Sequence, residues 1–213
     1  DITIDDGNDI GGGGSYTPIY NVNQLKAFRD AVNKGTKYDG ETIKLQADID
    51  MAGIEWTSAG SSSLYFTNTY IHWHQFSGNF DGNGYAISNL QGAPLFGNVV
   101  NGSITNLYLK NVQGNYKTGF DYYGCIVNLA ENSTIENCKV DSDTTIYLVG
   151  GGSSSTRQSK SMYMEKSYGG IVGCAYNCNI TNCEARVNVE ARSNEGVSLG
   201  GIVGKFDSDN DSF

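Results

Sequence analysis

A four-residue phrase, Ile, any residue, Asn, then Leu or Cys, returns four times along this chain. It stands at Ile87-Ser88-Asn89-Leu90, Ile104-Thr105-Asn106-Leu107, Ile135-Glu136-Asn137-Cys138 and Ile180-Thr181-Asn182-Cys183. A second phrase runs ahead of the last three, as Leu95-Phe96-Gly97, Ile126-Val127-Asn128 and Ile171-Val172-Gly173, always nine residues before the following Ile. A unit repeated with a fixed internal gap means a fold built by stacking.

The phrase encodes a bend. In a straight strand, residues three apart point to opposite faces. The Ile and the Leu or Cys three positions later are apolar in every copy, so both are expected to face inward. The parity must break between them, and Asn is the non-glycine residue that best tolerates the left-handed conformation required. Stacking in register then predicts three ladders inside the fold: Ile87, Ile104, Ile135 and Ile180; Asn89, Asn106, Asn137 and Asn182; and Leu90, Leu107, Cys138 and Cys183. After the last copy the chain alternates cleanly, with Cys183, Ala185, Val187, Val189 and Ala191 on one face and Glu184, Arg186, Asn188, Glu190 and Arg192 on the other. The expected fold is all-β, a right-handed parallel β-helix of about three to four irregular coils.

The remainder of the chain fits that plan. Leu25, Phe28 and Val32 follow helical spacing, Asn21 or Asn23 can cap the start, and Gly35 follows as a stop signal. An amphipathic helix over about 21–35 is therefore expected to cap the open end of the stack. Thr42–Met51 alternates as a strand, and Asp81-Gly82-Asn83-Gly84 supplies a tight reversal. Leu95, Ile126, Ile171 and Ile202 are equivalent, at intervals of 31, 45 and 31 residues. The longer interval places a surface insertion at about 145–167. The acidic, Gly-rich start predicts a flexible tether over 1–15, leaving one β-helix domain over 16–213.

A net charge of −9 and a pI near 4.6 argue against nucleic acid and against attraction to anionic lipid head groups. No apolar stretch approaches the roughly 18 residues of a membrane helix, and no signal peptide stands at the start, as expected of a mature or trimmed form. The five cysteines, 125, 138, 174, 178 and 183, are odd in number and form no disulfide framework. Cys138 and Cys183 occupy a leucine's slot and read as small buried hydrophobes, with a disulfide or metal role as the alternative.

Phe76–Leu90, Leu95-Phe96-Gly97, Tyr168-Gly-Gly-Ile-Val-Gly173 and Gly200-Gly-Ile-Val-Gly204 resemble the GLUG-motif repeat family. The upstream helix, Leu45–Met51 and Trp56-Thr57 resemble its lead-in, so that the likeness spans roughly 20–206. The resemblance implies a secreted or surface-attached bacterial protein, often an adhesin-like lipoprotein of gut Bacteroidetes. Related repeats accompany immunoglobulin A peptidases, but no His-Glu-x-x-His motif stands in this sequence, so that activity does not carry over. Asn128 departs from the repeat, which usually has Gly there.

Candidate chemistry is sparse. His72 and His74 flank Trp73 without a third ligand nearby, and read as a structural or exposed pair. Asp207, Asp209 and Asp211 echo the first half of a calcium loop but lack its turn glycine and closing Glu, so calcium is only the alternative to an acidic loop, and no cofactor is expected. The outward acids Glu136, Glu184 and Glu190 are interleaved with Lys139, Arg186 and Arg192, which suits a solvated face with cross-strand ion pairs rather than opposed catalytic carboxylates. Tyrosine is in excess, at fourteen, and Tyr108, Tyr116, Tyr122, Tyr123, Tyr147, Tyr163 and Tyr168 gather near the corners and the insertion. A binding face is expected at Tyr147, Arg157, Lys160, Tyr163 and Lys166, the locally basic part of an acidic protein. Together with what the resemblance implies, these observations lead to a non-catalytic, adhesin-like module, secreted or attached at the outer membrane or cell surface, with a lipid anchor upstream as an option. Its partner would be a host or bacterial glycan or a surface protein. A polysaccharide-active lyase or glycoside hydrolase, and a spacer displaying another domain, are the alternatives.

Overall fold

A computed structural model describes residues 15–60, 74–113, 115–117, 122–149, 166–192 and 197–207. Most of the expected tether lies outside these residues. Apart from one helix, the described chain is all-β, and its strands pair in parallel.

The first sheet joins Tyr16–Ile19, Thr42–Leu45, Asn79–Asp81, Ser103–Thr105, Thr134–Glu136 and Asn179–Thr181 in that order. Its central residues run in one row, Ile43, Phe80, Ile104, Ile135 and Ile180. The first four are fully buried, while Ile180 is partly covered. The second sheet places Ile49, Ile87, Leu109, Val140 and Ala185 in another row.

Two expectations are corrected here. Ile87 does not stack on Ile104; it belongs to the second sheet, and Phe80 takes its place in the first. Asn89 and Leu90 move with it, away from Asn106 and Leu107. The cause is that the same phrase serves in two different sheets. The spacing shows this, since Ile104 pairs with Ile135 a full repeat later, while Ile87 precedes Ile104 by roughly half of one. The second correction concerns the asparagines. Asn89, Asn106, Asn137 and Asn182 have φ of 58°, 52°, 54° and 55°, the left-handed conformation. Their side chains nevertheless lie outside the core, with Asn106, Asn137 and Asn182 exposed. Reversing the sign of φ turns the side chain out of the inward row, and the next residue, Leu or Cys, re-enters it.

The third sheet carries the second phrase, with Phe96, Val127, Val172 and Val203 in register. A fourth, of Tyr122–Gly124, Lys166–Gly169 and Val197–Gly200, lies close against it. That closeness requires glycine: a Cβ on Gly173 would stand 2.5 Å from the Tyr123 nitrogen. Asn128 falls in the same row as Gly97 and Gly173, because Val127 and Leu129 pair with their neighbours. It is fully buried, and neither its amide oxygen nor its nitrogen has a hydrogen-bond partner.

The helix, Val22–Asn33, starts at Asn21, whose Oδ1 accepts from the Gln24 N–H at 3.0 Å. The Gln24 side chain accepts in turn from the Tyr20 N–H at 2.7 Å. Leu25, Phe28 and Val32 form its buried face. The Phe28 ring sits 5.4 Å from Phe76 and 5.6 Å from Phe80, with Phe96 5.3 Å from both, so the helix seals an aromatic cluster rather than an aliphatic one. The strand Lys139–Val149 also runs further than expected. It pairs with Glu184–Arg192 across an irregularity between Asp141 and Thr145, so 145–149 are strand and not loop.

Candidate functional surface

Parallel pairing in register carries every outward residue of one coil onto an outward residue of the next. On the second sheet this builds a polar tile from two rows, Tyr108–Lys139–Glu184 and Lys110–Asp141–Arg186. Two ammonium groups lie over the Tyr108 ring, Lys110 Nζ 4.7 Å and Lys139 Nζ 5.1 Å from its centroid. Its hydroxyl donates to Asp141 Oδ2 at 3.3 Å. Lys139 Nζ stands 3.9 Å from Asp141 and 3.8 Å from Glu184, whose other oxygen holds Arg186 Nε at 2.6 Å. The Tyr108 phenol is raised above its ordinary value, first by desolvation and then by the neighbouring Asp141 charge.

Lys139 and Arg186 are matched by Asp141 and Glu184, whereas Lys110 lies over the aromatic ring. Such a surface recognises polar groups by fixed donors, acceptors and one flat face. It holds no opposed carboxylates and no nucleophile beside a base. Among the described residues, no cluster of three His, Cys, Asp or Glu side chains could hold a metal ion.

Of the residues expected to bind, Tyr147 and Lys166 lie among the described ones. Tyr147 lies in the strand Lys139–Val149 and is 42% exposed, beside Glu190 of the next strand. Lys166 opens the strand Lys166–Gly169, whereas Arg157, Lys160 and Tyr163 lie outside the described residues. Asp207 ends a strand, half-buried, and Asp209 and Asp211 lie outside the described residues, as does His72. At Tyr108 itself the tile was legible only as alternation, outward Tyr108 and Lys110 against inward Leu109. A second feature lies at the last coil, a groove of about 500 Å³ lined by Cys178, Ile180, Cys183, Ile202, Val203 and Phe206.

Residues 20–142, more than half of the chain, match the family model described as the N-terminal region of the M26 IgA1-specific metallo-endopeptidases. The chain belongs to this family. The M26 N-terminal match contains the helix, the aromatic cluster and four of the six tile residues. Residues 165–190 match the GLUG motif, so that resemblance holds over the later coils. The crystal structure of a candidate immunoglobulin A1 protease from Bacteroides ovatus is similar at a TM-score of 0.51 and 20% identity. The likeness covers 90% of this chain and 62% of that one, and at such identity it speaks for the fold alone. No curated protein matches the chain. Membership of the M26 N-terminal family overturns the adhesin-like expectation: the module is related to a protease, and its repeats are the frame of that relationship. The GLUG match covers 165–190 alone, whereas the lead-in helix and the repeats up to residue 142 fall in the M26 match. Among the described residues, no helix is long and apolar enough to cross a membrane.

Proposed function

We propose that this chain is a non-catalytic accessory module of an M26-type metallo-endopeptidase, acting outside the cell, and that its polar tile holds immunoglobulin A1 without cutting it. The observation that carries this reading is the family match over 20–142, which includes Tyr108, Lys110, Lys139 and Asp141. The sequence itself carries no His-Glu-x-x-His, the helical zinc and general-base motif of such peptidases. The parallel sheets, repeating at the same intervals on several sides of the molecule, support closure into a right-handed β-helix. A rigid stack of this kind fixes the distance between a bound substrate and a neighbouring peptidase.

The test is biolayer interferometry of the purified protein on immobilised immunoglobulin A1, with zinc present, followed by electrophoresis of the heavy chains. Reversible binding that Tyr108→Ala combined with Lys139→Ala weakens at least ~10-fold, with heavy chains intact, is the expected result. Heavy-chain cleavage, or the absence of binding, overturns it.

A further inference from the structure

All five cysteines are free thiols, and the register of the coils separates one pair from the rest. Glu136 pairs with Thr181 and Lys139 pairs with Glu184, so Cys138 and Cys183 lie directly opposite each other on successive coils. The asparagines just before them are tied by a hydrogen bond from Asn182 Nδ2 to Asn137 Oδ1 at 2.8 Å, and the Glu184 N–H donates to the Cys138 carbonyl at 2.9 Å just after. The register is therefore clamped on both sides of the two thiols. Neighbouring strands stand about 4.8 Å apart, inside the roughly 4.4–6.8 Å between Cα atoms that a disulfide spans.

No other cysteine has such a partner in register. Cys174 stands opposite Leu129 and Lys205. Cys178 falls opposite Ser133, and Cys125 opposite Gly170. The two thiols also share one setting. Each lies near the carbonyl two residues earlier in its own coil, 3.3 Å away in both, and near an Ile carbonyl of the coil before, Ile104 at 3.5 Å and Ile135 at 3.6 Å.

We propose that Cys138 and Cys183 are a redox pair that closes to an inter-coil disulfide on exchange with a small-molecule disulfide. Cys183 is the entry point, since it is partly exposed and lines the groove at the last coil, whereas Cys138 is buried. The hydrogen bond from Cys138 brings the Cys183 thiol down to about 7, and the same bond, with burial, raises Cys138. Cys183 thus supplies the thiolate. Its Sγ attacks one sulfur of the small disulfide, forming a mixed disulfide and expelling one thiolate, which takes up a proton. Cys138 then loses its proton, its Sγ attacks Cys183 Sγ, and the second small thiolate leaves. Two protein thiols are oxidised, and one small disulfide is reduced to two thiols. The bond would fasten the last coil to the one beneath it, closing a loop of the 44 residues between them.

The test uses the whole chain, incubated with oxidised glutathione, denatured, alkylated with N-ethylmaleimide and weighed intact. Loss of two alkylation sites from five, with a tryptic peptide linking Cys138 to Cys183, is the expected result. Cys183→Ser should keep its four remaining sites, and its thermal midpoint should be equal in oxidising and reducing buffer, while that of the wild type rises on oxidation. Five sites still labelled, a glutathione adduct persisting on Cys183, or a link joining Cys174 to Cys178 would each overturn the proposal.

Discussion

Asn137 Nδ2 donates to Asn106 Oδ1 at 3.2 Å, one coil below it. Asn182 donates to Asn137 in the same sense, and Asn106 donates at 3.0 Å to Asp81, where the row ends on a carboxylate. Two further rows repeat the pattern, Asn111 to Asn89 to Asp50 and Asn177 to Asn132 to Glu131. A carboxylate only accepts, so its place at the foot of a row fixes which way each amide above it must face. Asn137→Ala is expected to cost about 1–3 kcal/mol, combining two lost hydrogen bonds with a left-handed backbone that alanine resists. Asn137→Gly keeps the backbone and loses only the amide, so its urea midpoint should fall between those of wild type and alanine variant.

Acid should weaken one row in particular. Asp50 accepts from Asn89 Nδ2 at 2.7 Å and from the Ala52 N–H at 3.0 Å, and these bonds hold its carboxyl below the ordinary 3.8. A folded value below the unfolded one means that the contribution is present above about pH 4 and is lost as pH falls through the folded value. Asp50→Asn should flatten the acid limb of the stability curve, read from urea midpoints between about pH 5 and pH 2.

Asn128 offers a gain rather than a loss. Its buried amide has no partner, a condition that costs about 1–3 kcal/mol when a polar group is left unsatisfied. Asn128→Ala is therefore expected to stabilise the protein by about 1 kcal/mol, read as a higher urea midpoint, once lost packing is set against the relieved amide. A midpoint lower than wild type would show that the amide is paired in solution.

The junction between helix and coils depends on Phe28, whose ring contacts Tyr38, Phe76, Phe80 and Phe96. Phe28→Ala should destabilise the protein by about 3–5 kcal/mol, because four surrounding rings cannot collapse into the vacated space. Phe28→Leu should recover a large part of this, measured by the same denaturation.

The stacking principle was legible in the residues, and so was the bend at each asparagine, because both follow from strand parity and φ preference. Row membership was not. Ile87 carries the phrase of Ile104 yet sits in another sheet, since a local sequence records that a corner is made and not which corner it is. The outward turn of Asn106 and Asn137 was missed for a related reason: stacking like over like implies rows of asparagine, whereas the sign change in φ decides which way a row faces. The charged part of the tile, Lys139, Glu184 and Arg186, was legible as a solvated face with ion pairs, whereas Tyr108 and Asp141 join it only through register. The adhesin-like expectation leaned on a resemblance carried by the glycine phrases and the lead-in, which let sheets lie close and carry no chemistry of their own.

The amide rows also have a direction in time. Each asparagine of these rows donates to an acceptor earlier in the chain, and the foot of every row is an acidic residue translated before the amides that rest on it. Synthesis from the N-terminus therefore lays down each acceptor before its donor exists. A new coil arrives at an edge already primed to orient it, so the chain can be assembled upward from its capped end, one coil templating the next.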